Sequence, residues 1–147
     1  MKTISDIIKA QVPCFVTKDQ SVFQAAQYMA ANEIGAVPVV EGDHILGIFS
    51  ERDLMTRVVA KDLDAHAILV GEVMTSDVAV VDTDESYENC LKKMKQLNCR
   101  HLPMVSYDRK LIGVISLRDL LLVDNMEKEE ELKMLNEYMY GTPVATV

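Results

Sequence analysis

The chain repeats itself, and nothing else in it limits the fold as much. Moved along by 65 residues, Ser21 falls on Ser86, Met29 on Met94, Pro38 on Pro103 and Val40 on Val105. Past the next loop the offset becomes 66, and Gly47, Ser50, Arg52, Asp53 and Leu54 meet Gly113, Ser116, Arg118, Asp119 and Leu120. Self-similarity at a fixed period means that one supersecondary unit has been used twice. A unit of roughly 60 residues buries too little apolar surface to stand comfortably alone. Two copies facing each other across a pseudo-twofold axis remove that difficulty. Hydrophobic residues make up 49% of the 147, so disorder is not expected.

Each copy reads alike. Ser21 is an N-cap with Gln24 three residues on, the capping-box pattern, and Val22, Ala25, Ala26, Met29 and Ala30 recur at helical spacing. Ser86 leads Tyr87, Cys90, Leu91, Met94 and Leu97 with the same period. Two short apolar strands follow in each copy, Ala36–Val40 with Ile45–Phe49 and Leu102–Val105 with Leu111–Ile115, each pair joined by a turn as in a hairpin. The proline in the first strand of each pair removes a ladder donor, which predicts a short or edge strand. Ser50 and Ser116 then open second helices. The lead-ins correspond as well, Ile4–Ile8 against Val70–Met74. The fold class is therefore α/β in the α+β sense, two β-α-β-β-α repeats. The expected boundaries are 1–60 for repeat 1, 61–69 for a connector, 70–124 for repeat 2 and 125–147 for a C-terminal amphipathic helix and tail. In that last segment Leu132, Leu135, Tyr138 and Met139 form an apolar stripe, with Gly141 and Thr142-Pro143 as its stop.

The chemistry sits at the repeated Gly-x-x-Ser-x-Arg-Asp. Capping explains Ser-x-x-Asp, but it asks for neither the glycine nor the arginine. A helix N-terminus offers unpaired N–H groups and partial positive charge to a phosphate. Gly47 and Gly113 leave room for a flat ring. A carboxylate one turn in, Asp53 or Asp119, accepts two hydrogen bonds from a ribose diol. Arg52 and Arg118 supply countercharge. Together these describe an adenosine-nucleotide pocket made twice.

With the h-Pro-h-h strand and the period, this motif resembles the tandem cystathionine-β-synthase (CBS) domain pair, the Bateman module, over about Ile4 to Val123. The resemblance implies a regulatory module, not an enzyme, that binds AMP, ADP, ATP or a related adenosyl compound between its repeats and pairs through its helices into a homodimer. Carried over by position, Ser116 and Asp119 hold the ribose and phosphate of one site, lined by Thr17, Ala36, Val37 and Pro38. The pseudo-symmetric site takes Ser50 and Asp53 with His101, Leu102 and Pro103. His101, Arg52 and Arg118 are candidates to reach phosphates, and the pocket that each arginine faces stays open. Asp82 stands where Thr17 does, and His101 where Ala36 does, which favours the Asp119 site. The expected function is a stand-alone energy or metabolite sensor acting on a protein target that leaves no trace in the chain. No cofactor is required, and the nucleotide is a regulatory ligand. The alternatives are an oligomerisation or adaptor module with degenerate pockets, or a module for S-adenosylmethionine or NAD(H).

Composition closes off other classes. Fifteen Lys and Arg against 23 Asp and Glu give a net charge of −8, which argues against a nucleic-acid coat. No run approaches a membrane span, and the opening residues carry no apolar core of a signal peptide, so a cytoplasmic protein is expected. Cys14, Cys90 and Cys99 make neither a disulfide framework nor a zinc set, and His44, His66 and His101 fall at no metal-ligand spacing. A Cys99–His101 contact is open beside the reading of Cys99 as a core thiol. No Gly-x-Ser-x-Gly elbow supports a serine enzyme.

Overall fold

The computed structural model describes residues 14–140. The first repeat runs β1 (Val16–Thr17), α1 (Val22–Ala31), β2 (Ala36–Glu41), β3 (His44–Ser50) and α2 (Glu51–Asp53), which passes into a π-helical stretch, Leu54–Val59. A short α3 (Val70–Val73) leads into the second repeat: β4 (Val81–Asp82), α4 (Tyr87–Leu97), β5 (His101–Val105), β6 (Leu111–Ser116) and α5 (Leu117–Tyr140). Each repeat makes a three-stranded sheet, ordered β1-β2-β3 and β4-β5-β6, with the first pair parallel and the second antiparallel. This is the β-α-β-β-α order read from the sequence. The lead-in at Ile4–Ile8 and the stop at Gly141 to Pro143 lie outside the described residues.

The helix starts follow their caps. The Ser21 hydroxyl accepts from the Gln24 N–H at 3.1 Å, and the Gln24 side chain accepts from the Ser21 N–H at 3.1 Å. Such a cap is worth about 1 kcal/mol. The first hairpin turns tightly at Gly42, whose φ of +64° is one that side-chain-bearing residues rarely adopt.

The proline-bearing strands are the middle strands of their sheets, not edges. The missing donor of Pro38 nevertheless breaks no hairpin bond. Pro38 faces Ile48, and Ile48 spends both its N–H and its C=O on Thr75, at 2.9 Å each, on the side away from β2. Pro38 and Ile48 are thus a non-hydrogen-bonded pair. The two-residue β1 pairs with Val39 and Val40 only.

Each repeat has its own core. Val16, Val22, Ala25, Met29, Val37, Val39, Phe49 and Val58 pack together, joined by Val70 and Val73 from α3. Val81, Cys90, Met94, Leu102, Met104, Ile115 and Leu120 form the other. The connector is docked, not slack. Ala65 and Ile68 carbonyls accept from the first two N–H groups of α1, at 2.9 and 3.0 Å, and His66 stacks on Phe23 with ring centroids 4.1 Å apart. The repeats also meet at their hairpin tips, where the Leu111 N–H donates to the Asp43 carbonyl at 3.0 Å and Lys110 pairs with Asp43 at 3.5 Å.

The second helix of repeat 2 and the C-terminal amphipathic segment are one continuous helix. α5 runs 24 residues with no break at the expected 124/125 boundary.

Candidate functional site

Two clefts open between the repeats, one at each Ser-x-Arg-Asp. The first has a volume of about 820 Å³ and brings Ser116, Arg118 and Asp119 of repeat 2 against Ala36 and Pro38 of repeat 1, with Gly113 on its wall. The second, about 660 Å³, gathers Ser50, Arg52 and Asp53 with His101. Each volume is in the range of small-ligand sites. His101 and Ala36 line both clefts. Val37 and Leu102 are instead buried in the two cores, as strand alternation requires of residues next to cleft-facing neighbours. Thr17 and Pro103 line neither cleft.

The two carboxylates are held differently. Asp53 is 6% exposed. It accepts from the Ser50 N–H at 3.0 Å, the Ser50 hydroxyl at 3.1 Å and the Thr75 hydroxyl at 3.1 Å. Arg57, one turn on, lies 3.5 Å from the same group and also donates to the Met74 carbonyl at 3.0 Å. A buried carboxylate needs such partners, and here they use it up. Asp119 is half-buried and, among the described residues, accepts only from the Ser116 N–H at 3.1 Å. Its own N–H donates to the Ser116 hydroxyl at 3.1 Å. Val123 stands where Arg57 does in the other copy. Among the described residues, no donor reaches the second oxygen of Asp119.

A Cβ on Gly47 would lie 2.5 Å from the Thr75 carbonyl oxygen. The room expected for a flat ring is filled there by the residue that bridges onto β3.

Charge at the seam is mixed. Burial lowers the pKa of His101, against the pull of the Glu51 and Asp119 carboxylates, while Arg100 pushes in the same direction as burial. The shift favours the neutral imidazole, which has one nitrogen able to donate and one able to accept. Burial pushes the Cys99 thiol up, although the His101 backbone N–H and Arg52 pull it back. The thiolate is the nucleophile, so Cys99 is not activated by its neighbour. Burial also raises Cys90, to about 11.

Sequence reasoning missed Thr75 and Arg57 beside Asp53, and Arg100, Leu121, Leu122 and Asn125 in the larger cleft. Arg57 stands four residues after Asp53, a spacing that pairs charges on a helix. Thr75 gave no local signal. No helix among the described residues is long and apolar enough to cross a membrane.

The model of the CBS domain matches residues 4–60 and 70–125. Hypoxic response protein 1 of Mycobacterium tuberculosis is 31% identical over 121 residues, which cover 82% of this chain and 83% of that protein. A solved structure of a protein with CBS domains from Burkholderia ambifaria MC40-6 superposes with a TM-score of 0.76 at 32% identity, covering 99% of each chain. A CBS domain protein from Pyrobaculum aerophilum, complexed with AMP, shares the fold with a TM-score of 0.71 at 24% identity, over 80% of this chain and 89% of that one.

Proposed function

The chain belongs to the CBS domain family, as a tandem pair of repeats, and on that premise we propose that it is a non-catalytic sensor whose Asp119 cleft binds an adenosine nucleotide, AMP before ADP or ATP. The observation that carries this reading is the open carboxylate. A ribose diol needs an acceptor with free lone pairs, and among the described residues Asp119 accepts one hydrogen bond where Asp53 is held by Ser50, Thr75 and Arg57. Arg118 and Arg100 stand at the same cleft to meet phosphate. Ile34, Val114, Leu121 and Leu122 offer apolar walls to a base. The AMP complex of the Pyrobaculum protein supports the ligand class.

Exposed apolar side chains on the second helices support a homodimer. Met55 is 60% exposed, Val59 67%, Leu122 53% and Met126 59%, and exposed apolar surface of this kind marks interaction sites. The dimer presents its ligand-dependent shape to a protein target in the cytoplasm.

Thermal unfolding against AMP, ADP, ATP, S-adenosylmethionine and NAD tests the reading. A ligand at 100 times its Kd adds about 2.7 kcal/mol of stability, so AMP should raise Tm by several degrees. A larger shift with S-adenosylmethionine or NAD would reassign the ligand. No shift with any compound would leave an adaptor with degenerate clefts.

A further inference from the structure

Six residues of the Asp119 cleft, Leu117, Arg118, Asp119, Leu121, Leu122 and Asn125, lie on the first turns of α5. The helix does not end with them. It continues unbroken to Tyr140, a length of about 36 Å at 1.5 Å per residue. Its counterpart in repeat 1 gives way to π-helical turns and stops at Val59. Past Met126 the helix leaves the body. Residues 128–135 are all exposed, including Leu132 at 61%, Met134 at 65% and Leu135 at 52%. Glu127 sits beside Tyr87 of α4 and raises the pKa of its hydroxyl, which places the helix against α4 just before that point.

We infer that α5 carries occupancy of the Asp119 cleft out of the cleft, its exposed distal half following the ligand-bound turns as one cooperative unit. A helical stretch this short has little stability of its own in water. It holds its shape because the preceding turns are packed, and it opens when they detach. Cooperative units of this kind open together. A ligand held between Asp119 on α5 and Ala36 and Pro38 on β2 pins those turns to both repeats. It favours the attached pose by its differential affinity for it. Repeat 1 has no comparable arm, so its cleft has no such outlet. The inference rests on the Asp119 cleft being the ligand site.

Hydrogen exchange of the full chain, read by mass spectrometry with and without saturating AMP, tests it. Exchange should slow over residues 117–126 and also over 127–139, the distal part by at least about threefold at 100 times Kd. Slowing that ends at Met126 would overturn the inference and leave the ligand reading intact. Calorimetry that finds no binding of AMP, ADP, ATP or S-adenosylmethionine would remove both. Lys128→Pro breaks the helix in an exposed position outside both repeats. That variant should bind AMP as the parent does and lose the slowing beyond residue 128. Slowing that survives there would show that the helix is not the carrier. If the variant fails to fold, the comparison in the parent protein decides alone.

Discussion

The two motif carboxylates share a sequence and do different work. Asp53 holds the first repeat to the start of the second. Ser50 approaches from its own helix start, Arg57 from the next turn and Thr75 from across the seam. Among the described residues, Asp119 is bound only to its own cap. The same four residues, Gly-x-x-Ser-x-Arg-Asp, thus make a latch in one copy and an open acceptor in the other. The difference arises outside the motif. It depends on Arg57 against Val123, and on a threonine 22 residues downstream of Asp53. A duplicated motif marks two candidate sites, and its surroundings decide which one is free.

The largest structural effect should come from the glycine under the latch. Gly47→Ala places a methyl 2.5 Å from the Thr75 carbonyl. Overpacking of that kind costs about 2 kcal/mol, and chemical denaturation should show it as a lower midpoint at unchanged m-value. Asp53→Ala comes next. It should lose about 2 kcal/mol, a cap plus the bonds of a buried acceptor, whereas Asp119→Ala loses a cap alone, about 1 kcal/mol. Equal losses in the two variants would break the comparison. Thr75→Val removes one donor from Asp53 and should cost about 1 kcal/mol with ligand affinity unchanged. A stability loss absent from Thr75→Val would mean that the threonine hydroxyl is not part of the latch.

The smallest effect concerns pH and the residue shared by both clefts. Burial lowers the pKa of His101 in the folded chain. The unfolded chain then binds more protons below the ordinary value of 6.5, so stability is lost as pH falls through 6.5 toward the folded value, and is fully present above 6.5. Thermal unfolding at pH 7.5 and pH 5.5 should show a drop in Tm that is smaller in His101→Gln. Glu51, Asp119 and Arg100 act on the same ring, and an unchanged drop would contradict the assignment of the pH dependence to His101.

The architecture was legible because it is local and was written twice. Ser21 with Gln24, the helical period of Val22, Ala25 and Met29, and the hairpin strands each rest on neighbours in sequence. Repetition separated signal from chance. The proline strands, expected to be short or at an edge, are central, and the missing donor of Pro38 is tolerated because Ile48 opposite it bonds to Thr75 instead, which is a matter of sheet assembly. Val37 and Leu102 belonged to the right strands, but their faces turn into the cores. Thr75 was invisible for a related reason. Its backbone docks on Ile48 through long-range pairing, and only then does its hydroxyl reach Asp53. The unbroken run of α5 was hidden by the repeat itself, whose other copy ends at Val59.

Calorimetric titration of AMP into Asp119→Ala and Asp53→Ala tests the central difference most directly. Two charge-assisted bonds to a ribose diol are worth about 3 kcal/mol, or roughly 100-fold in Kd. Asp119→Ala should lose that factor, while Asp53→Ala, measured below its lowered Tm, should bind within about threefold of the parent protein at one ligand per chain. Equal losses in the two variants, or two ligands per chain in the parent, would contradict the account.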